Sequence, residues 1–165
     1  MKLRLFLGCA LTLGWLPLAP VFLQAQAASE NPTWIQKLRT VTLHVGPATL
    51  NTEVAATNAE MEQGLMYRTK MGDNEGMIFL LGHVERAAFW MKNTLIPLSV
   101  AFIDSNGVIL EIHDMKPQDE SITRSDSKLV AYALETNLHW FSLNGVKPGD
   151  KIDPPPATLA KKDTP

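Results

Sequence analysis

The 165-residue sequence holds one cysteine, Cys9. A single thiol makes no internal disulfide, and no cysteine spacing suited to zinc exists. Positive charge is not in excess either: 15 Lys and Arg stand against 17 Asp and Glu, a formal charge of −2. Binding to nucleic acid draws on a basic face that displaces counterions from phosphates, so no nucleic-acid partner is expected. The four histidines, His44, His83, His113 and His139, lack the H-x-x-x-H and H-x-H spacings, so no metal site and no cofactor are expected. There is no G-x-S-x-G nucleophile elbow and no phosphate-cradling glycine loop. These absences remove the commonest reaction classes, and the sequence names no catalytic residue.

One long apolar run is present, at the N-terminus. Lys2 and Arg4 precede Leu5–Leu23, and Ala25-Gln26-Ala27 follows. A positive start, an apolar stretch and an A-x-A site read as a secretory signal peptide over residues 1–27. The competing reading is a retained anchor, since the run nearly spans a bilayer; Pro17 and Pro20 favour cleavage. Removing 27 of 165 residues leaves 138, without Cys9, and the charge goes from −2 to −4 as Lys2 and Arg4 leave. The expected location is exported, periplasmic or secreted, with no membrane attachment after cleavage. A chain of that size without disulfides buries enough surface to stand on its core alone.

Residues 28–39 read as a linker, 40–153 as a single β domain, and 154–165, opening on Pro154-Pro155-Pro156, as a disordered tail. Val41, Leu43 and Val45 alternate with polar residues, which predicts a half-buried strand. Gly46-Pro47 turns into a second strand at Ala48–Ala55. Thr57 and Glu60 stand at the spacing of a capping box, which predicts a short helix ending near Gly64. Gly76–Leu81 and Ala87–Met91 are apolar enough for buried strands. Asn106-Gly107 is a strong hairpin signal, and a two-residue loop there pairs Ile103 with Leu110 and Ala101 with Ile112. A strand at Lys128–Glu135, a short helix at Leu138–Leu143 stopped by Asn144-Gly145, and a last strand at Lys151-Ile152 complete the count. The expected fold is mainly β: an antiparallel β-sandwich, jelly-roll-like, or a small barrel, of seven to eight short strands with two short helices. No long helix alternates with the strands, so parallel pairing is disfavoured.

Four segments resemble one known family. They are Ala59–Arg68, containing Gly64-Leu65-Met66-Tyr67-Arg68; Glu75-Gly76-Met77-Ile78-Phe79; Phe89-Trp90-Met91-Lys92-Asn93-Thr94 running on to Asp104; and Leu134-Glu135-Thr136-Asn137 with Gly145 and Pro148-Gly149-Asp150. Together they are similar to the DUF192 family, whose name records an undefined function. The resemblance covers about residues 40–152. It implies a jelly-roll-like, often exported domain and no activity. Two positions depart from the family pattern: Ser99 stands where Asp is common, and His139 where Gly is frequent.

Seven residues stand out as a ligand-binding rim: Arg68, Glu75, Trp90, Lys92, Asn93, Glu135 and Asn137. Trp90 could be a stacking platform with Lys92 and Asn93 beside it for an anionic or sugar-like ligand; packing and a turn are the alternative. The Arg68 guanidinium suits an anion, or else an internal ion pair with Glu75 or Glu135. Glu135 and Asn137 carry the same ambiguity. Glu111 and His113 share one strand face and could act as a general-base pair or as two solvated polar residues. Six methionines after residue 27 admit Cu(I) binding or plain gap filling. The expected function is a non-catalytic exported module that binds a small molecule or an envelope partner. An envelope hydrolase using rim carboxylates and a periplasmic copper-handling protein using Met and His are the alternatives.

Overall fold

The computed structural model describes residues 35–160; the proposed signal peptide lies outside them. Nine strands and two α-helices follow one another: β1 Thr40–Val45, β2 Ala48–Ala55, α1 Asn58–Gln63, β3 Glu75–Glu85, β4 Ala88–Phe89, β5 Leu98–Ile103, β6 Ile109–Met115, β7 Thr123–Arg124, β8 Val130–Asn137, α2 Trp140–Leu143 and β9 Ile152–Asp153. Seven strands form one sheet in the order β6-β5-β8-β3-β2-β1-β9, and β4 pairs with β7 apart from it. No helix among the described residues is long and apolar enough to cross a membrane.

The sheet is mixed, which corrects the antiparallel sandwich or jelly-roll expected from the sequence. β2 and β3 run parallel, with Thr52 opposite Gly76 and Val54 opposite Ile78. A parallel pair needs a crossover of about a dozen residues or more. The short α1 and the loop after it supply that length, so no long helix is required. The sheet curls until its two edges approach: Val108 bridges Lys151, and the Ile109 amide donates to the Asp150 carbonyl at 2.9 Å. Gly76 shows how closely β3 and β8 run, because a Cβ there would stand 2.5 Å from the Glu135 carbonyl oxygen.

Alternation along the strands sends apolar residues to both faces. One core, enclosed by the curl, gathers Leu43, Leu50, Ile78, Ile103, Leu134 and Ile152 around Trp140 and Phe141 of α2. The second core, on the other face, packs Met77, Phe79, Val100, Phe102 and Ala133 beneath Leu65, Met91 and Ile96. α1 starts as its sequence predicts. The Glu60 amide donates to Thr57 Oγ1 at 3.3 Å, and Glu60 Oε2 accepts from the Ala56 and Thr57 amides at 2.8 Å each. Because the cap satisfies helix-start amides that lack partners within the helix, Thr57→Ala is expected to lower unfolding free energy by about 1 kcal/mol in urea denaturation.

Several boundaries differ from the sequence reading. Pro156–Ala160 wind into a 3-10 turn, and Leu159 is buried in the first core. The linker is likewise tied down near its end: Gln36 Nε2 donates to the Glu60 and Gly64 carbonyls, both at 2.9 Å. In the β5–β6 hairpin, Ala101 faces Ile112 and Phe102 faces Glu111, as expected. Nearer the turn Ile103 faces Ile109, so Leu110 is the extra residue of a bulge. The cause is Asp104, whose Oδ1 accepts from the Asn106 and Val108 amides at 2.8 and 2.9 Å and widens the loop beyond two residues.

Candidate functional site

Glu135 lies on β8 between Met77 of β3 and Val100 of β5. It therefore belongs to the middle of the sheet, on the face of the second core. Its residue is 5 % exposed, and its carboxyl has no hydrogen-bond or ion-pair partner among the described residues. Burial alone pushes its pKa up to about 8, because an ionised carboxylate loses its hydration there. At neutral pH the group is a carboxylic acid, with one O–H to donate and an oxygen to accept.

Glu135 is one of the residues that line a small cavity of about 40 Å³. Its walls come from Met61 and Gln63 of α1, Leu65 and Met66 after it, Phe79 of β3, Phe89 of β4, and Trp90 and Thr94 beyond. A wider cleft of about 380 Å³ shares Met61, Glu62, Phe79, Phe89 and Trp90 with it and continues to His83, Glu85 and Arg86. The two are therefore adjacent, sharing an aromatic wall, and the smaller of them has the buried acid Glu135 in its lining. Phe79 and Phe89 meet edge to face with centroids 5.2 Å apart, which fixes the floor. Trp90 is 44 % exposed at the junction, and Lys92 Nζ stands 5.1 Å from its ring centroid. The covering segment is pinned by backbone bonds: the Met91 amide donates to the Asp119 carbonyl, and the Gln118 amide to the Thr94 carbonyl.

The seven rim residues separate into groups. Trp90 and Glu135 line the cleft and Lys92 stacks on Trp90. Asn93, at a positive φ of 57°, bonds through Nδ2 to the Tyr67 hydroxyl and accepts the Tyr67 amide on its carbonyl. Glu75 and Asn137 hold a loop: Glu75 Oε2 accepts the Gly72 amide at 2.9 Å and Asn137 Nδ2 donates to the Gly72 carbonyl at 2.8 Å. Arg68 forms an internal ion pair, with Glu53 rather than the expected Glu75 or Glu135. Its two terminal nitrogens donate to the two Glu53 oxygens at 2.6 and 3.0 Å. That fork occupies both terminal nitrogens, and Arg68 is not among the residues that line the cleft.

Two other polar clusters have structural work. The Glu111 carboxyl is raised by burial, but the Asp126 and Ser127 amides and His113 outweigh that and leave its pKa below the ordinary value. His113 Nε2 lies 2.7 Å from Glu111 Oε2, so the pair anticipated on one strand face forms and anchors the 126–127 loop. Ser99 Oγ donates to Asp114 Oδ1 at 2.5 Å and accepts the His139 amide at 2.8 Å, while His139 Nδ1 is 3.1 Å from Asp114 Oδ2. An activated serine needs the imidazole at its hydroxyl. Here the carboxylate stands between them, so the cluster braces the start of α2. The two positions that depart from the family pattern are thus in contact.

Sequence reasoning did not assign Met61, Met66, Phe79 or Phe89 to a cleft, because each has the pattern of an ordinary core residue. Five methionines, Met61, Met71, Met77, Met91 and Met115, gather in or against the second core. No group of three or more His, Cys, Asp or Glu able to hold a metal is found among the described residues.

Fold and cleft define a class: a mainly-β domain built on a curled mixed sheet, with a small-molecule-sized cleft beside one buried acid from an interior strand. The chain belongs to the DUF192 family, whose model, described as an uncharacterized ACR, matches residues 40–154. No curated protein matches it. Among solved structures, it is similar to one from Sinorhizobium meliloti 1021 described as a proposed transcription regulator. That likeness has 36% identity and a TM-score of 0.68, covering 72% of this chain and 96% of that one. It is also similar to a protein of unknown function from Novosphingobium aromaticivorans DSM 12444, at 35% identity and a TM-score of 0.67, covering 77% of this chain and 94% of the other.

Proposed function

We propose that the domain is a non-catalytic module, exported by the N-terminal signal, that binds a small molecule in the cleft and orients it by a hydrogen bond to Glu135. The observation that carries this reading is the unpartnered acid in the lining of the smaller, aromatic-walled cavity beside the cleft. A buried polar group without a partner costs about 1–3 kcal/mol, and a ligand that supplies the partner recovers it. An apolar cleft with few convergent polar groups is the usual form of a small-ligand site. The regulator description of the Sinorhizobium structure is not carried over, because a charge of −2 offers no surplus of cations for phosphates.

A second reading has one observation in its favour. Glu62 and Glu135 line the same inner cavity, and one of the two is held neutral, as a general acid must be. Envelope hydrolysis would use Glu135 as acid and Glu62 as base. The inner volume of about 40 Å³ is too small for a sugar ring and its attacking water, which favours binding. Copper handling has Met61 and Met66 in the inner cavity, while His83 lines only the outer cleft and is paired with Glu85.

A thermal-shift screen of sugars, amines, carboxylates, short peptides and Ag(I) tests these readings together, because a ligand of the native state raises the melting temperature. Binding in the cleft predicts hits whose shift shrinks in both Trp90→Ala and Glu135→Gln, each measured against its own baseline. Hits that keep their full shift in both variants would place the site elsewhere, and an empty screen would sink the binding reading. Product release from a chromogenic glycoside or peptide, lost in Glu135→Gln, would favour the hydrolase.

A further inference from the structure

We infer that the group taken at Glu135 is an ammonium, so that the cleft selects ligands carrying a primary amine on a short chain. The inference rests on the cleft being the binding site. Its support is the character of the walls. The inner cavity is lined by Glu135, by the aromatic residues Phe79, Phe89 and Trp90, by Met61 and Met66, and by Glu62, with Gln63 and Thr94 as neutral polar members. The acids, rings and thioethers attract a cation: carboxylates by charge, ring faces by their quadrupole, thioether sulfur as a weak acceptor. The Lys92 ammonium stands 5.1 Å from the Trp90 centroid, so it competes for that ring and leaves Phe79 and Phe89 as the rings open to a ligand cation.

The nearby cations are otherwise engaged. Arg68 is forked onto Glu53. Arg86 lines only the outer cleft, where its Nη1 donates to the Ser125 carbonyl at 3.3 Å. His83 and Glu85, also in the outer cleft, face each other at 2.9 Å. Among the described residues, the charged or titratable groups that line the inner cavity are thus Glu62 and Glu135, both acids. An anionic ligand would meet two acids. A hydroxyl would make one neutral hydrogen bond, whereas an ammonium converts the buried acid into a charge-assisted pair, roughly twice as strong.

Size sharpens the class. A water needs about 10–15 Å³ of such volume, so about 40 Å³ admits a terminal –CH2–NH3+ group and little more. The outer cleft, about 380 Å³, takes the rest of the molecule. Binding an ammonium ionises Glu135, and its proton leaves to solvent. Below the folded pKa of about 8, the affinity for an amine must therefore rise with pH, by about tenfold per unit. Above it the affinity levels off until the amine itself loses its proton.

The test is calorimetry of the full chain with three ligands that differ in the head group: n-butylammonium, n-butanol and butyrate. Titrations run from pH 6 to pH 9, in pairs of buffers with different ionisation enthalpies. The expected result is tightest binding of butylammonium, release of close to one proton at pH 7, and an affinity gain of about fiftyfold from pH 6 to pH 8. Glu135→Gln should remove the pH slope and weaken the amine at least tenfold, while circular dichroism reports an intact fold. Butanol or butyrate binding as tightly, with dependence on Glu135, would overturn the ammonium and leave the cleft as a binding site. Amine binding without a pH slope, or unchanged in Glu135→Gln, would overturn it as well. Failure of all three ligands, alongside a screening hit of another class that depends on Trp90 and Glu135, would reject the ammonium alone; failure of both experiments would reject the site.

Discussion

Glu135→Gln is expected to make the domain more stable at neutral and alkaline pH, and hardly different in acid. In the unfolded chain the carboxyl ionises near its ordinary value of 4.5; in the folded protein burial raises that value to about 8. Below 4.5 both states hold the proton, and the group's stability contribution is fully present. As pH rises the unfolded state gains a solvated charge that the folded state does not, and stability falls until about pH 8. Each pKa unit corresponds to about 1.4 kcal/mol, so the loss across this window is roughly 3–5 kcal/mol. Glutamine, nearly isosteric and never charged, has no such window. Urea denaturation at pH 4, 6 and 8 should show the wild type losing stability across the series, apart from changes common to both proteins, while the variant keeps more of it. At pH 8 the gap should amount to roughly 10 °C in melting temperature. Parallel pH curves for the two proteins would show that Glu135 is solvated in the folded state, contrary to the geometry.

Removing either member of the Arg68–Glu53 pair should give the second large effect, in the opposite direction. The two side chains are only 13 and 16 % exposed. Glu53 Oε2 also accepts the Leu38 amide at 3.1 Å, and Arg68 Nη2 reaches the Gln36 carbonyl at 3.3 Å. The pair therefore fastens three segments: β2, the loop after α1, and the segment leading into β1. Arg68 Nε is buried without a partner, so the guanidinium already lacks one hydrogen bond and tolerates no further loss. Taking away one ion leaves the other desolvated and uncompensated, at a cost of about 3 kcal/mol. Glu53→Gln and Arg68→Met should each lower the unfolding free energy by about that amount. The double variant should lose less than the sum, with a coupling above 1 kcal/mol in a double-mutant cycle. Strict additivity would mean that the pair acts independently and that its fork is incidental.

Local features of this chain were legible where a short-range rule decides them. The Thr57–Glu60 cap, the alternation of β1, and the pairing of Ala101 with Ile112 all formed as read. Features set by the sheet order were not legible. Nothing in the β2 pattern marks Glu53 as different from an ordinary solvent-facing residue; its burial follows from the loop that folds back over β2. The parallel β2–β3 pair was missed because the six-residue α1 does not resemble a crossover helix. Glu135 was visible as a chemical candidate, but its isolation was not. It depends on β8 being flanked by β3 and β5, a neighbourhood that no local pattern announces. β7 was missed altogether, since Thr123-Arg124 has no apolar run to mark it.

The position of β8 also sets the order of events in time. β1, β2 and β3 are neighbours early in the chain, and β5 and β6 form a hairpin, but the strand that joins these two pieces comes only after both. A nascent chain that has not yet reached Asn137 holds two half-sheets, each with an unpaired edge meant for β8. Such late, long-range closure belongs to folding in milliseconds to seconds rather than microseconds. Until it happens, those edges can pair with other chains. The same strand carries Glu135, so the cleft acquires its acid only when the two halves are zipped together. An incompletely folded chain has no site to offer a ligand.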